Sequence, residues 1–295
     1  MTRHLLTLTD WSPDDITKVI GLALRMKAKP QRYWHVLEGK KLLMMFAKPS
    51  LRTRLSFEAA MLELGGHAIF YDIATSPMSK KESVRDTARV SSLYVDGIMA
   101  RLFEHEMIEE LARHATVPVI NGLTNSYHPC QALGDFMTIW ELFGRFDVNL
   151  AYMGDAHNNV THSLMIASEK LGAHMIVACP VSNDFLPSKE VMRQTSARVV
   201  GVPHVRTADV VYTDTWQSYQ IPDKAMARRR RMLRPYQVNV RTFPPHAYFM
   251  HCLPAKRGEE VTADIIDGPR SVVLRQAENR KHVEKAILAL LLGGV

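Results

Sequence analysis

Short apolar runs alternate with longer amphipathic stretches along the whole chain. Eight runs rich in aliphatic and aromatic residues predict strands: KKLLMMF, HAIFY, DGIMA and VPVI in the first half, and VNLAYMG, HMIVAC, DVVYTD and AYFMHC in the second. The stretches between them have helical apolar spacing. Strands that alternate with helices indicate an α/β fold with parallel sheets and helical crossovers.

The helical patterns also suggest two domains. Apolar positions from Ile16 to Met26 predict a first helix, whose N-cap and first turn are Ser12-Pro13-Asp14-Asp15. His282 to Leu292 reads as another long apolar-faced helix. The helical pattern from Cys130 to Phe143 lies between two strand–helix series. Because 295 residues are about twice the usual domain length, we expect domains over 1–130 and 131–275.

Composition narrows the class of protein. Hydrophobic residues make up 46% and charged residues 23% of the chain, as in ordinary globular proteins. No apolar run reaches the roughly 18 residues of a membrane span, and the N-terminus lacks the features of a secretory signal. Three scattered cysteines, Cys130, Cys179 and Cys252, fit a reducing compartment, and no CxxC pair suggests structural zinc. We therefore expect a cytoplasmic protein without a membrane partner or a metal.

A net charge of +7 favours an anionic partner, which could be nucleic acid, a membrane surface or a small phosphorylated substrate. The densest basic cluster is Arg228 to Arg231 with Arg234. Base-stacking aromatic residues are not interleaved with it, so a solvated helix face is favoured over a nucleic-acid site.

Polar residues follow four of the predicted strands directly. The segment 48–54 follows Phe46, Gly154-Asp155 follows Met153, Asp214 comes two residues after Tyr212, and His251-Cys252 follows Met250. Ligands of open α/β sheets bind beyond the carboxyl ends of the strands. These segments are therefore the candidate site.

The segment KPSLRTRLSFE is typical of an anion site. It places Ser50, Arg52, Thr53 and Arg54 between a strand and a helix. Amides at the helix start, the two hydroxyls and the two guanidinium groups could converge on one phosphate. It is not a Walker A loop, because the glycines and the Gly-Lys-Ser/Thr ending are absent.

This segment is similar to the Pro-Ser-x-Arg-Thr-Arg signature of the aspartate and ornithine carbamoyltransferase family. Further motifs resemble the same family in the same order: His128-Pro129-Cys130-Gln131, Gly154-Asp155 with Asn158-Asn159-Val160, His251-Cys252-Leu253-Pro254, and Gln276-Ala277-Glu278-Asn279-Arg280. Five ordered motifs extend over nearly the whole chain and are highly specific. His-Cys-Leu-Pro is the pattern of the members that use ornithine.

The resemblance implies two Rossmann-like α/β domains with central parallel sheets, joined by interdomain helices, the first binding carbamoyl phosphate and the second the amine. The helix at about 276–295 is expected to pack back on the first domain. The implied reaction moves the carbamoyl group of carbamoyl phosphate to ornithine, giving citrulline and phosphate. No cofactor is implied. The expected assembly is a homotrimer or a multiple of trimers with shared sites.

The same resemblance implies the roles of individual residues. Those expected to bind carbamoyl phosphate are Ser50, Leu51, Arg52, Thr53, Arg54, Arg101, His128, Gln131, Cys252, Leu253 and Arg280. Six of these are expected to be catalytic: Arg52, Arg101, His128, Gln131, Cys252 and Arg280. Those expected to bind ornithine are Asn159, Asp214, Ser218, Tyr219, Cys252 and Leu253. Cys252 is expected to contact substrate without forming a covalent intermediate, and no general base is assigned.

Two segments depart from the family pattern. The acceptor loop usually reads Asp-x-x-x-Ser-Met-Gly, but here Tyr219 and Gln220 follow Ser218. Pro77 stands in a loop where ornithine enzymes have a glutamine. An enzyme for N-acetylornithine, N-succinylornithine or putrescine is therefore the nearest alternative. A non-catalytic regulatory or nucleic-acid-binding relative is less favoured, because every expected phosphate ligand is retained.

Overall fold

The computed structural model describes residues 2–75, 82–217 and 222–294. These residues divide into two compact units. Unit 1 contains Met1–Met137 and Glu278–Val295, and unit 2 contains Thr138–Ala277. Each is a parallel-sheet α/β unit, which confirms the predicted fold class.

Unit 1 is built around a four-stranded parallel sheet of order β2-β1-β3-β4. Its strands are β1 Lys41–Phe46, β2 His67–Asp72, β3 Gly97–Arg101 and β4 Val119–Leu123. Its first four helices are α1 Pro13–Ala28, α2 Leu51–Glu63, α3 Val84–Tyr94 and α4 His105–His114, with short 3-10 turns at Pro30–Tyr33 and Ile73–Thr75. All four strands predicted in the first half of the chain are present.

The start of α1 confirms the predicted cap. The Ser12 hydroxyl accepts a hydrogen bond from the Asp15 amide, and the Asp15 carboxylate accepts one from the Ser12 amide. This reciprocal pair satisfies two donors that a helix start leaves open. The apolar face of α1, from Ile16 to Met26, is buried.

Unit 2 is built around a five-stranded parallel sheet of order β7-β6-β5-β8-β9. Its strands are β5 Asn149–Met153, β6 His174–Ala178, β7 Arg198–Val200, β8 Val210–Tyr212 and β9 Tyr248–Met250. Its helices include α6 Asn159–Leu171, α7 Lys189–Gln194, α8 Asp223–Leu233 and α9 Ala263–Ile266, with 3-10 turns at Val202–Thr207 and Arg234–Tyr236. Four of the strands were predicted, and β7 was not.

Two further helices run across the sequence limits of the units. Helix α5, Pro129–Phe143, begins within unit 1 and ends within unit 2. Helix α10, Val273–Leu288, begins within unit 2 and ends within unit 1, where a π-helical turn over Ala289–Gly293 follows it. Unit 1 is therefore assembled from both ends of the chain.

Each sheet packs its own apolar core. Met45, Ile98, Ile108, Leu111 and Val119 belong to one buried cluster in unit 1. Unit 2 has a corresponding cluster that includes Met153, Val211, Phe249, Val261 and Ile265. Because burial of apolar side chains is the main stabilising term of a domain, these clusters fix the strand ends that carry the polar residues.

The basic cluster on α8 is largely neutralised within unit 2. Arg228 pairs with Asp184 and Arg230 pairs with Glu259. Arg229 pairs with Asp155 and lies over the ring of Phe185. Burial outweighs the arginine's charge and raises the pKa of Asp155 to about 6. The arginine run thus ties α8 to neighbouring loops of its own unit.

In the parts of the chain that the structure describes, no helix is both long and apolar enough to cross a membrane.

Candidate active site

The polar segment after β1 caps the start of α2. Ser50 is the N-cap, and its hydroxyl accepts a hydrogen bond from the Thr53 amide at 3.3 Å. Thr53 is buried within the first turn, with 1% of its surface exposed. A helix start presents amide donors and the positive end of the helix dipole, so this turn suits a bound anion.

Two arginines from distant parts of the sequence meet at Thr53. Arg101, the last residue of β3, donates from Nη1 to the Thr53 hydroxyl at 3.3 Å. Arg280, from α10, donates from Nη2 to the same oxygen at 3.3 Å and from Nη1 to Gln131 Oε1 at 3.1 Å. We call Thr53, Arg101, Gln131 and Arg280 the arginine cluster. A neutral hydroxyl is a weaker acceptor for guanidinium groups than a phosphate oxygen is.

Two buried carboxylates hold members of this cluster in place. Gln131 donates from Nε2 to Asp135 Oδ1 at 2.8 Å, which directs its amide oxygen toward Arg280. Arg280 also donates to Glu284 Oε1 at 2.9 Å, one helical turn further along α10. Burial raises the pKa of Glu284, and the neighbouring guanidinium opposes that shift. Neither acid stood out in the sequence, because a buried carboxylate on a helix looks the same as a solvated one.

His128 is buried immediately before α5 and close to both arginines. Burial and then the charges of Arg280 and Arg101 hold the pKa of His128 well below its usual range. The imidazole is therefore neutral near pH 7, and one of its ring nitrogens carries a proton that it can donate.

Lys48 adds positive charge in the same unit. It belongs to the predicted candidate segment 48–54, but the sequence assigned it no role. Its ammonium donates to Asn125 Oδ1 and lies 4.4 Å from the ring centroid of Phe103. Burial, followed by the charge of Arg101, lowers the pKa of Lys48 to about 8. Its position immediately before Pro49 and Ser50 of the signature could have identified it as a further basic residue of the site.

The other residues of the signature have different surroundings. Arg54 donates from Nε to Glu58 at 2.9 Å and stacks on Phe70, both of which lie outside the arginine cluster. Leu51 is 71% exposed, and Arg52 is partly buried.

In unit 2, the chain makes a sharp turn after β9, which we call the 251–256 turn. Its Leu253–Pro254 peptide bond is cis, and Leu253 has φ of +60°, a region that side-chain-bearing residues rarely adopt. The Leu253 amide donates to His251 Nδ1 at 2.8 Å. The His251 amide donates to Gln276 Oε1, whose own Nε2 donates to Tyr212 Oη. The turn is therefore fixed from both its own side chains and its neighbours.

Asp214, beyond the end of β8, lies against this turn. The Cys252 thiol donates to Asp214 Oδ1 at 3.1 Å, and the Thr215 amide donates to the same oxygen at 2.7 Å. Burial raises the pKa of Asp214 above its usual range, although the hydrogen bonds from the Cys252 thiol and the Thr215 amide oppose the shift. The structure thus brings Asp214 and Cys252, two of the residues expected to bind ornithine, into contact.

Asn159 is the first residue of α6, next to the N-cap Asn158, whose side chain accepts from the Thr161 amide. Ser218, Tyr219 and Gln220 lie outside the described residues, and so does Pro77.

One possible metal-ligand set exists among the described residues. Ligand atoms of Asp214, His251 and Cys252 lie within 4.8 Å of one another. Hydrogen bonds already engage the Cys252 thiol with Asp214 and His251 Nδ1 with the Leu253 amide.

Comparison with known sequences gives the same family for both units. The description "Aspartate/ornithine carbamoyltransferase, carbamoyl-P binding domain" matches residues 3–141, and "Aspartate/ornithine carbamoyltransferase, Asp/Orn binding domain" matches residues 146–291. A Pyrococcus furiosus protein named "Ornithine carbamoyltransferase, anabolic" is 49% identical over 313 residues, covering 99% of this chain and 97% of the relative. An ornithine carbamoyltransferase of Listeria monocytogenes is 45% identical over 303 residues, covering 98% and 96%.

A solved structure agrees with these sequence matches. The ornithine carbamoyltransferase of Pyrococcus furiosus superposes with a TM-score of 0.94 at 47% sequence identity. The match covers 99% of this chain and 98% of that structure.

Proposed function

This chain belongs to the aspartate/ornithine carbamoyltransferase family, and we propose that it transfers the carbamoyl group of carbamoyl phosphate to the side-chain amine of L-ornithine. The products are L-citrulline and phosphate. The observation that carries the proposal is the arginine cluster, in which Arg101 and Arg280 both donate to the hydroxyl of Thr53 in the first turn of α2. The 49% identity to a relative named for this activity supports ornithine as the acceptor.

We assign the phosphate of the donor to unit 1. Ser50, Leu51, Arg52, Thr53 and Arg54 supply the start of α2 and its side chains. Arg101 and Arg280 bring two buried guanidinium groups, which bind an oxyanion through several charge-assisted hydrogen bonds. Gln131 addresses the carbamoyl amide, since its orientation is fixed by Asp135.

The chemical step needs a donor for the charge that develops on the carbonyl oxygen. The neutral ornithine amine attacks the carbonyl carbon, a C–N bond forms and the oxygen becomes an oxyanion. We assign its stabilisation to Arg101 and neutral His128, which act as an oxyanion hole. The C–O bond to phosphate then breaks, and the departing phosphate takes the proton from the attacking nitrogen. No covalent enzyme intermediate is required.

We assign the α-amino and α-carboxylate groups of ornithine to unit 2. The proposed ligands are Asn159, Asp214, Ser218 and Tyr219. Asp214 offers a carboxylate to the α-ammonium group, and a charge-assisted hydrogen bond to a partly buried acid is strong. Cys252 and the Leu253 carbonyl contact the substrates from the 251–256 turn.

The biological setting follows from the same relatives. We propose a role in arginine biosynthesis, because one close relative is named anabolic. A trimer or a multiple of trimers, a cytoplasmic location and a reaction without a cofactor stay predictions.

The decisive experiment is a carbamoyl phosphate assay against ornithine, N-acetylornithine, N-succinylornithine, putrescine and aspartate. We expect citrulline from ornithine and at least tenfold lower kcat/KM with every other amine. Turnover of another amine without turnover of ornithine would overturn the acceptor assignment. No turnover with any of them would overturn carbamoyl transfer itself.

A further inference from the structure

The 251–256 turn carries two proposed substrate contacts, yet its shape depends on a residue outside it. Leu253 has a backbone conformation that is unfavourable for a side chain, so surrounding contacts must hold it. One contact is the 2.8 Å hydrogen bond from its amide to His251 Nδ1. What holds His251 therefore also holds the turn.

Glu260 is fully buried and touches the turn at both ends. Its Oε1 accepts a hydrogen bond from the Lys256 amide at 2.5 Å and lies 3.4 Å from His251 Nε2. His251 and Glu260 are each 0% exposed. A single carboxylate oxygen thus contacts the first and the last residue of the turn, His251 and Lys256.

The hydrogen-bond pattern fixes the protonation of His251. The Leu253 amide can only donate, so Nδ1 must be the unprotonated acceptor. The ring proton then resides on Nε2, which faces Glu260. Among the described residues, Nε2 has no hydrogen-bond partner, and Glu260 Oε1 is the acceptor placed to approach it. A buried N–H without any acceptor is costly, so the glutamate is needed where it stands.

We propose that Glu260 is a positioning residue for carbamoyl transfer. Its carboxylate oxygen braces His251 and the Lys256 amide, and through them it sets the placement of the Cys252 thiol and the Leu253 carbonyl. The inference rests on the proposed function, which supplies the substrate contacts of the turn. The role requires an acceptor oxygen at the end of a side chain as long as glutamate, because both contacts go to one oxygen. A glutamine side chain also provides such an oxygen.

Four side chains at position 260 distinguish the effect of side-chain length from the effect of charge. The wild-type glutamate is long and charged, Glu260→Gln is long and neutral, Glu260→Asp is short and charged, and Glu260→Asn is short and neutral. Misplacement of reacting groups by about 1 Å can cost on the order of 100-fold in rate. We expect kcat to fall about 100-fold in both short variants, and to stay within about threefold of wild type in Glu260→Gln, which keeps the acceptor.

Two measurements distinguish this role from a general loss of structure. Inorganic phosphate binding, measured by calorimetry, reports on the arginine cluster of unit 1 and should be unchanged in all variants. Glu259→Gln is the matched control, since the side chain of this neighbouring acid pairs with Arg230 and the substitution leaves its backbone contact with the turn in place. We expect its kcat to be that of wild type. If either Glu260→Asp or Glu260→Asn does not fold, the kcat of the remaining short variant can still be compared with that of Glu260→Gln.

The outcomes decide separately on the two proposals. A wild-type enzyme without ornithine turnover overturns the proposed function, whatever the variants do. With an active wild type, a short variant that retains full kcat overturns the positioning role. Equal losses in Glu260→Gln and Glu260→Asp would overturn it too, since charge and reach would then both be required. Recovery in Glu260→Gln alone supports it.

Discussion

The arginine cluster of unit 1 and the 251–256 turn of unit 2 are built from opposite charges. In unit 1, Arg101 and Arg280 share a neutral hydroxyl, and Lys48 adds a third cation. In unit 2, Asp214 and Glu260 face an imidazole and a thiol. The first set suits an anion, and the second suits a cation.

This contrast in charge indicates where each proposed substrate obtains its binding energy. Carbamoyl phosphate brings a phosphate, so its affinity depends on Arg280, which Glu284 holds directly and Asp135 holds through Gln131. Ornithine brings an α-ammonium group, which a partly buried carboxylate binds more strongly than a neutral acceptor does. Variants in the two regions should therefore affect different substrates.

The largest effect is expected from Arg280→Ala. It removes the guanidinium that joins Thr53 to Gln131, and loss of one such donor costs on the order of 1000-fold in rate. Steady-state kinetics should show the loss in kcat/KM for carbamoyl phosphate. Lys281→Met on the same helix is the control, because Lys281 pairs with Glu63. A loss of less than tenfold in Arg280→Ala would contradict the assignment.

A smaller effect, confined to the other substrate, is expected from Asp214→Asn. Removing a charged partner costs roughly 2 kcal/mol, or about 30-fold in affinity. We expect KM for ornithine to rise by about that factor, while phosphate binding measured by calorimetry is unchanged. Asp184→Asn removes an exposed acid of the same unit and should change neither value. If phosphate binding weakened along with ornithine, the two regions would not be separable.

The smallest effect is expected from pH. Lys48, with its pKa lowered to about 8, is charged below that pH and loses its charge above it. Affinity for carbamoyl phosphate should therefore fall about fivefold between pH 7 and pH 9. The fall should disappear in Lys48→Met and persist in Lys41→Met, which removes an exposed lysine. An unchanged pH profile in Lys48→Met would exclude Lys48 as its source.

Much of the fold could be predicted because the strands of a parallel sheet are apolar runs. β3 is buried along its whole length, and the periodicity of α1 matches its buried face. β7 was missed since none of its three residues is fully buried, whereas β8, which is equally short, is buried along its whole length.

The site was predictable where a motif carries the chemistry and not where partners are distant in sequence. Thr53 and Arg280 are 227 positions apart, and only the family resemblance linked them before the structure. Glu260, Glu284 and Asp135 carry no motif of their own. Their importance comes from burial next to a functional side chain, which composition and spacing cannot reveal.

Because unit 1 is assembled from both ends of the chain, it can be completed only after unit 2 has been synthesised. Thr53, Arg101 and Gln131 leave the ribosome long before Arg280, because about 140 residues of unit 2 intervene, or roughly 7–30 s of translation. During that interval the nascent chain has every member of the arginine cluster except the last. A chain that ended with unit 2, at Ala277, would contain most of the proposed phosphate ligands but not Arg280. We therefore expect loss of the C-terminal segment to abolish phosphate binding even though the rest of unit 1 is present.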